Sequence, residues 1–160
     1  MATEKLKFKL ELYATMWDRP PHAEILINDV SHFKGDITGT EHKPDVIEFE
    51  HEFTEGEKCE LIINRSGKIN DQTVINNDGD VLKDQLLHIK SIEIDEMIDI
   101  GRLVYEGVYT PQYPEPWASQ QRRAGVELKE SFKNVTTMGH NGTWVFKVTS
   151  PFYMWLTLAN

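Results

Sequence analysis

Residues 5–13 read Lys5-Leu6-Lys7-Phe8-Lys9-Leu10-Glu11-Leu12-Tyr13, and this stretch decides the fold class. Leu6, Phe8, Leu10 and Leu12 point one way; Lys5, Lys7, Lys9 and Glu11 point the other. Strict period two over that length is the pattern of a half-buried strand, which an amphipathic helix does not produce.

The same period returns along the chain. Val46 to Phe53 alternates with Ile47, Phe49 and Phe53 inward, and Cys59, Leu61 and Ile63 share one face. Between them, Thr54-Glu55-Gly56-Glu57 reads as a hairpin connection. Ala23 to Asn28 reads as a short strand closed by an Asn28-Asp29 turn. Gln85 to Asp95 is apolar and β-branched, and its inward phase shifts between Ile89 and Ile92, the mark of a bulge. Trp144, Phe146 and Val148 alternate within Thr143 to Thr149. A last strand is expected over Phe152 to Leu158, after the break at Ser150-Pro151.

No stretch makes a convincing helix; Glu127 to Lys133 comes nearest and lacks an apolar stripe. Many short strands separated by turn signals predict an all-β, antiparallel two-sheet sandwich or jelly roll. It would form a single domain over 1–160, with one long aromatic- and proline-rich loop.

Composition narrows the function classes. A 160-residue chain that is 39% hydrophobic can build a core, and its net charge of −9 argues against a nucleic-acid partner. The one basic cluster, Arg122-Arg123, is too small to make a patch. Cys59 is the only cysteine, so no internal disulfide is available, and its place in an alternating run reads as a buried structural thiol. The first residues carry no apolar signal core and no segment reaches the length of a membrane span, so synthesis in a cytoplasm without membrane insertion is expected. The glycosylation-like triplets at Asn64, Asn134 and Asn141 read as chance in that setting.

Two constellations could carry chemistry. Asn76-Asn77-Asp78-Gly79-Asp80, followed by Asp84, is the densest group of oxygen ligands. A calcium ion wants roughly six to eight oxygens. The helix-loop-helix calcium pattern fails, however, because Val74 and Gln85 fall where it needs acids. Two readings stay open: a hairpin turn between strands, or a calcium site using Asp78, Asp80 and Asp84. The second constellation is Tyr105, Tyr109, Tyr113 and Trp117, interleaved with Pro111, Pro114 and Pro116. Stiffened by proline, these aromatics could complete the core, anchor a protein interface, or stack on a sugar ring. The six histidines are scattered without zinc-ligand spacing. There is no phosphate loop and no nucleophile elbow, and carboxylate pairs such as Asp95-Glu96 are expected by chance among 26 acids. Nothing argues for an enzyme; a glycan hydrolase would need two carboxylates facing across a cleft.

The stretch KINDQTVINNDGDVLKDQLLHIKSIEIDEMIDI, residues 68–100, carries a resemblance. With its Asp-Gln-Thr-Val step, its Asn/Asp-Gly turn and its Ile-rich strand, it resembles a group of small proteins of tailed bacteriophages. His140-Asn141-Gly142-Thr143-Trp144 and Pro151-Phe152-Tyr153-Met154-Trp155-Leu156 fit the same pattern. More distantly, Glu24-Ile25-Leu26-Ile27 and Asp84-Gln85 are similar to calcium-dependent xylan-binding carbohydrate modules, which are jelly rolls. On that resemblance Glu24 and Asp84 are carried over as calcium-holding positions, although Tyr105 to Asn134 is an insertion relative to those modules.

The resemblance implies a non-catalytic structural or adaptor component of a virion. Its partners would be other virion proteins or copies of itself, met through Tyr109, Tyr113 and Trp117. The alternative is a calcium-dependent carbohydrate-binding module. Some of Glu24, Asp78, Asp80 and Asp84 would then hold the ion, and Tyr113 or Trp117 would stack on the sugar.

Overall fold

A computed structural model describes residues 2–69, 72–95, 98–99, 106–152 and 154–155. The opening run forms β1 (Thr3–Thr15), followed by β2 (His22–Ile27), β3 (Val30–Asp36), β4 (Asp45–Thr54) and β5 (Lys58–Ser66). Two short strands, β6 (Val74–Ile75) and β7 (Val81–Lys83), precede β8 (Leu86–Ile94) and β9 (Ile98–Asp99). The last third holds β10 (Val108–Pro111), α1 (Trp117–Arg123), β11 (Phe132–Lys133), β12 (Thr137–Met138) and β13 (Gly142–Thr149).

Apart from β6 and β7, which pair only with each other, these strands make two antiparallel sheets packed as a sandwich. One runs β12-β8-β1-β4 with β9 beside β8; the other runs β11-β10-β13-β5-β2-β3. The alternation of β1 does what its period requires. Leu6, Phe8, Leu10 and Leu12 are buried, facing Ile25, Ile27, Leu61, Ile63, Trp144 and Phe146 in a common core. Each such Leu, Ile or Phe side chain contributes about 1.5–3 kcal/mol on burial. The outward face of β1 is matched by charge: Lys5, Lys7 and Lys9 stand opposite Glu52, Glu50 and Glu48 of β4. Such cross-strand pairs add a few tenths of a kcal/mol each and fix the register.

The phase shift in β8 is a bulge. Leu12 pairs with Ile89 while Glu11 pairs with Ser91, so Lys90 is left over and both Ile89 and Ile92 stay buried.

Four expectations are corrected. The turn at Thr54–Glu57 is tight, with Gly56 at φ 87° and the Glu57 amide donating to Thr54 O at 2.9 Å, but it is not a hairpin. It is a corner: β4 pairs with β1 and β5 with β13 and β2, so the chain passes from one sheet to the other. Burial of both Phe53 and Cys59 requires that crossing. Residues 152 and 154–155 form a helical turn instead of a strand, with the Trp155 amide bonded to Pro151 O at 3.1 Å; Leu156 to Leu158 lie outside the described residues. A helix does exist, at Trp117–Arg123, while Glu127 to Lys133 is irregular and ends in β11. Pro116 stands at the N-cap, and the two arginines of the last turn suit the helix dipole. With only Ala118 buried, seven residues carry no apolar periodicity to detect. The expected long loop therefore contains β10, α1 and β11; its first aromatic, Tyr105, lies outside the described residues.

On the opposite edge, the sheets meet through histidines. His32 of β3 and His51 of β4 join by a ring N···N hydrogen bond of 2.9 Å, and His32 stacks on Phe49. Among the described residues no helix is long and apolar enough to cross a membrane.

Candidate functional site

The acidic loop folds as a hairpin. β6 and β7 pair, and Asn76 organises the turn: its Oδ1 accepts from the amides of Asp78 and Asp80, each at 2.9 Å. Gly79 supplies the left-handed residue at φ 87°. The turn is thus closed by its own asparagine. Glu24 sits half-buried on β2, opposite Lys34 and Asn64, and Asp78 and Asp80 are at the hairpin tip. Among the described residues no three His, Cys, Asp or Glu side chains converge where a metal ion could be held, so the four acids are not brought together.

Asp84 has a different setting. It follows β7 at the base of the hairpin, and its Oδ1 collects three donors: Lys68 Nζ at 2.9 Å, Thr73 Oγ1 at 2.7 Å and the Gln85 amide at 2.8 Å. Lys68 Nζ also donates to Gly139 O at 2.5 Å. The two side chains are largely enclosed, Lys68 at 12% and Asp84 at 22% exposure. Burial pushes the Asp84 carboxyl up, but the hydrogen bonds from Lys68, Thr73 and the Gln85 amide outweigh it and hold it below the usual carboxylate range.

Beneath this pair lies a polar floor. Arg65 is buried, donating to Asn141 Oδ1 at 2.8 Å and to Gln85 O at 2.6 Å; burial lowers its pKa to about 10. Asn141 also clasps the backbone of Lys68, accepting from its amide and donating to its carbonyl, both at 3.0 Å. Gln85 Nε2 bonds Gln72 Oε1 at 3.0 Å and Arg19 O at 3.1 Å. The motif residues Gln72, Gln85 and Asn141 therefore build the support for Asp84.

Above it stands an aromatic wall. Trp117, Tyr113 and His140 contact one another with ring centroids 5.1–6.1 Å apart. Tyr113 Oη donates to Lys129 O at 2.6 Å, which anchors the wall to the segment after α1. Tyr109 does not belong to the exposed set: it is buried on β10, and its Oη donates to His140 O at 2.5 Å while accepting from the His140 amide at 2.9 Å. His140 is held below its ordinary pKa by burial, and further by the positive charges of Lys68 and Arg65, so its ring is neutral near pH 7.

Wall and pair enclose one cleft of about 480 Å³, lined by Lys68, Asp84, Gln112, Trp117, Gln120 and His140 among others. Its apolar sides come from Ile69, Ile75, Pro114 and Pro116. On the far side of Trp117 a second hollow of about 470 Å³ runs over Tyr113, Leu128 and Phe132. A wider trough of about 710 Å³ lies on the outer face of β10, β13 and β5, but its charged groups Glu60, Glu106 and Lys147 are exposed, and the Glu60–Lys147 pair is 3.9 Å apart. Convergent, supported polar groups beside apolar walls are found in the Asp84 cleft, which makes it the candidate site.

No family model, no curated protein and no solved structure aligns with it significantly.

Of the residues singled out from sequence, the structure brings Asp84 and Trp117 into one cleft, while Tyr113 packs on Trp117 and lines the hollow on its far side. It separates them from Glu24, Asp78 and Asp80, and it places Tyr109 underneath. Lys68, Gln112, Gln120 and His140 were missed as site residues. Lys68 and His140 do open two of the three motif stretches, which is the only signal the sequence offers for them.

Proposed function

We propose that this chain is a non-catalytic structural or adaptor component of a tailed-phage virion, working through protein–protein contacts. The observation that carries this reading is the β6–β7 arm. Ile75 and Val81 form a cross-strand pair on it and, with Leu82, are 58%, 60% and 61% exposed. Large aliphatic side chains grouped on a projecting hairpin favour burial against another protein. The resemblance of residues 68–100 to tailed-phage proteins points the same way, since that stretch includes the arm and the strand β8 that follows it.

Mass spectrometry of purified particles, from a phage that encodes this chain, tests the proposal. The chain should be present at structural copy number, and Leu82→Asp should remove it from particles while leaving the melting temperature of the free protein unchanged. Absence of the unmodified chain from particles overturns it.

A second reading, a carbohydrate-binding module, is favoured by one observation: Trp117 and Asp84 share a cleft. A virion protein with such a cleft can serve both purposes.

A further inference from the structure

The hydrogen bonds of Asp84 are one-sided. Lys68, Thr73 and the Gln85 amide all donate to Oδ1, and Oδ2 accepts from no described residue. A carboxylate oxygen has two lone-pair directions, and one left empty in a partly enclosed cleft has unmet acceptor capacity. Lys68 Nζ spends two of its three N–H groups, on Asp84 and Gly139 O, and keeps one. The cleft therefore offers an acceptor and a donor side by side, with the amide side chains of Gln112 and Gln120 opposite. The indole of Trp117, 37% exposed, forms its wall.

Charge decides what fits. Asp84 is already neutralised by an ammonium 2.9 Å away, and His140 is uncharged. A metal ion at Asp84 would have to displace Lys68 or sit against it, and like charges at that distance repel strongly in a partly desolvated site. A second organic cation meets the same repulsion. An anion meets Asp84 Oδ2 and a chain of net charge −9. What remains is a neutral ligand with hydroxyl groups to give and take and with an apolar face for the indole.

We propose that the cleft binds a neutral sugar ring of a polysaccharide, stacked on Trp117 and hydrogen-bonded through adjacent hydroxyls to Asp84 Oδ2 and Lys68 Nζ, with no metal ion. The proposal rests on the carbohydrate-binding reading and gives it a calcium-free chemistry, in which a lysine does the work of the cation. The ring is carried by α1, and so by the segment that interrupts the resemblance to the calcium-dependent modules.

Isothermal titration of the purified chain with cellohexaose, maltohexaose, mannohexaose and chitohexaose tests it, each in excess chelator and again in millimolar calcium, with oligogalacturonate as the anionic counterpart. At least one neutral probe should bind with the same affinity in both buffers, and oligogalacturonate should not bind. Asp84→Asn and Trp117→Ala should each weaken that binding on the order of tenfold or more. Trp117 lies on the surface, so the second variant remains informative if the first loses its fold, as judged by far-ultraviolet circular dichroism. Binding that needs calcium overturns the metal-free site and leaves the carbohydrate reading standing. No binding of any neutral probe, or a preference for oligogalacturonate, overturns both. Undiminished binding in folded Trp117→Ala overturns the assignment to this cleft.

Discussion

Lys68 is the counter-ion of Asp84, and the pair sits where a sequence reading places calcium: Nζ to Oδ1 is 2.9 Å, with Asp84 supported further by Thr73. A site already holding its cation gains nothing from another. Thermal midpoints in millimolar calcium and in excess chelator should coincide, whereas a calcium site filled at a hundredfold excess over Kd would add about 2.7 kcal/mol. Lys68→Met, which strands the carboxylate, should cost about 2 kcal/mol, or roughly 4–8 °C for a chain of this size. A calcium-dependent rise in the unmodified protein would contradict the assignment.

The same pair sets an acid limit. The carboxyl of Asp84 is held below its ordinary value, so its contribution is complete above the unfolded value of about 3.9 and is lost as pH falls through the folded one. The stability difference between the unmodified protein and Asp84→Asn should be full at pH 5 to 7 and shrink below about pH 4. Urea melts across that range measure it, and a difference independent of pH would show that folding leaves the Asp84 carboxyl at its ordinary value.

His32 works in the other direction. Burial, and then the charge of His51, lower its pKa, so the fold prefers the neutral ring. Stability is then fully present above the unfolded value near 6.5 and declines as pH falls from there to the folded value. His32→Phe keeps the stack on Phe49 and removes the titration. It should flatten part of the decline between about pH 6.5 and 5 in denaturant melts; His88 and His140, also lowered by burial, account for the remainder. A variant with an unchanged slope would mean that His32 titrates alike in the folded and the unfolded chain.

How far the sequence could be read follows from where each signal lives. β1, β4, β5, β8 and β13 announce themselves because one face of each is buried and the other wet, which is what period two records. Even the bulge at Lys90 leaves a trace, since it shifts the phase of Ile89 against Ile92. β3 is an edge strand with most of its residues partly or fully exposed, and α1 is two turns with one buried residue, so neither has a pattern to find. The corner at Gly56 has the local chemistry of a hairpin, and only the sheet pairing of its flanks distinguishes the two. Asp84 and Trp117 were visible as candidates by residue type. That a lysine sixteen positions upstream neutralises the first, and that His140 brackets the second, are facts of tertiary contact.

Gly107 approaches the indole of Trp144 so closely that a Cβ placed there would lie 2.3 Å from the ring. Trp144 is fully buried between the sheets, stacked beside Phe146, and has nowhere to retreat. Gly107→Ala should therefore cost about 3 kcal/mol, toward the upper end of overpacking effects. Gly125→Ala has open space around its Cβ but a φ of +85°, so its penalty should come from backbone strain alone and be about 1 kcal/mol. Urea midpoints for the two variants should fall in that order, and equal losses would show that the Trp144 contact relaxes.

Tyr109 ties the aromatic wall to the sandwich. Burial pushes its phenol up to about 12, so the hydroxyl keeps its proton and donates to His140 O while taking the His140 amide. Tyr109→Phe removes a buried hydroxyl and deprives both His140 backbone groups of their partner, at a cost of about 2 kcal/mol. Tyr113→Phe breaks one bond to Lys129 O on an exposed segment, where water can replace the hydroxyl, and should cost less than about 1 kcal/mol. Because His140 packs against Trp117, the Tyr109 variant should also weaken any ligand held on the indole, without touching that ligand. Denaturant melts and titrations on both variants separate the two effects. Equal losses of stability would place the anchor of the wall in α1 and the segment after it, and not in Tyr109.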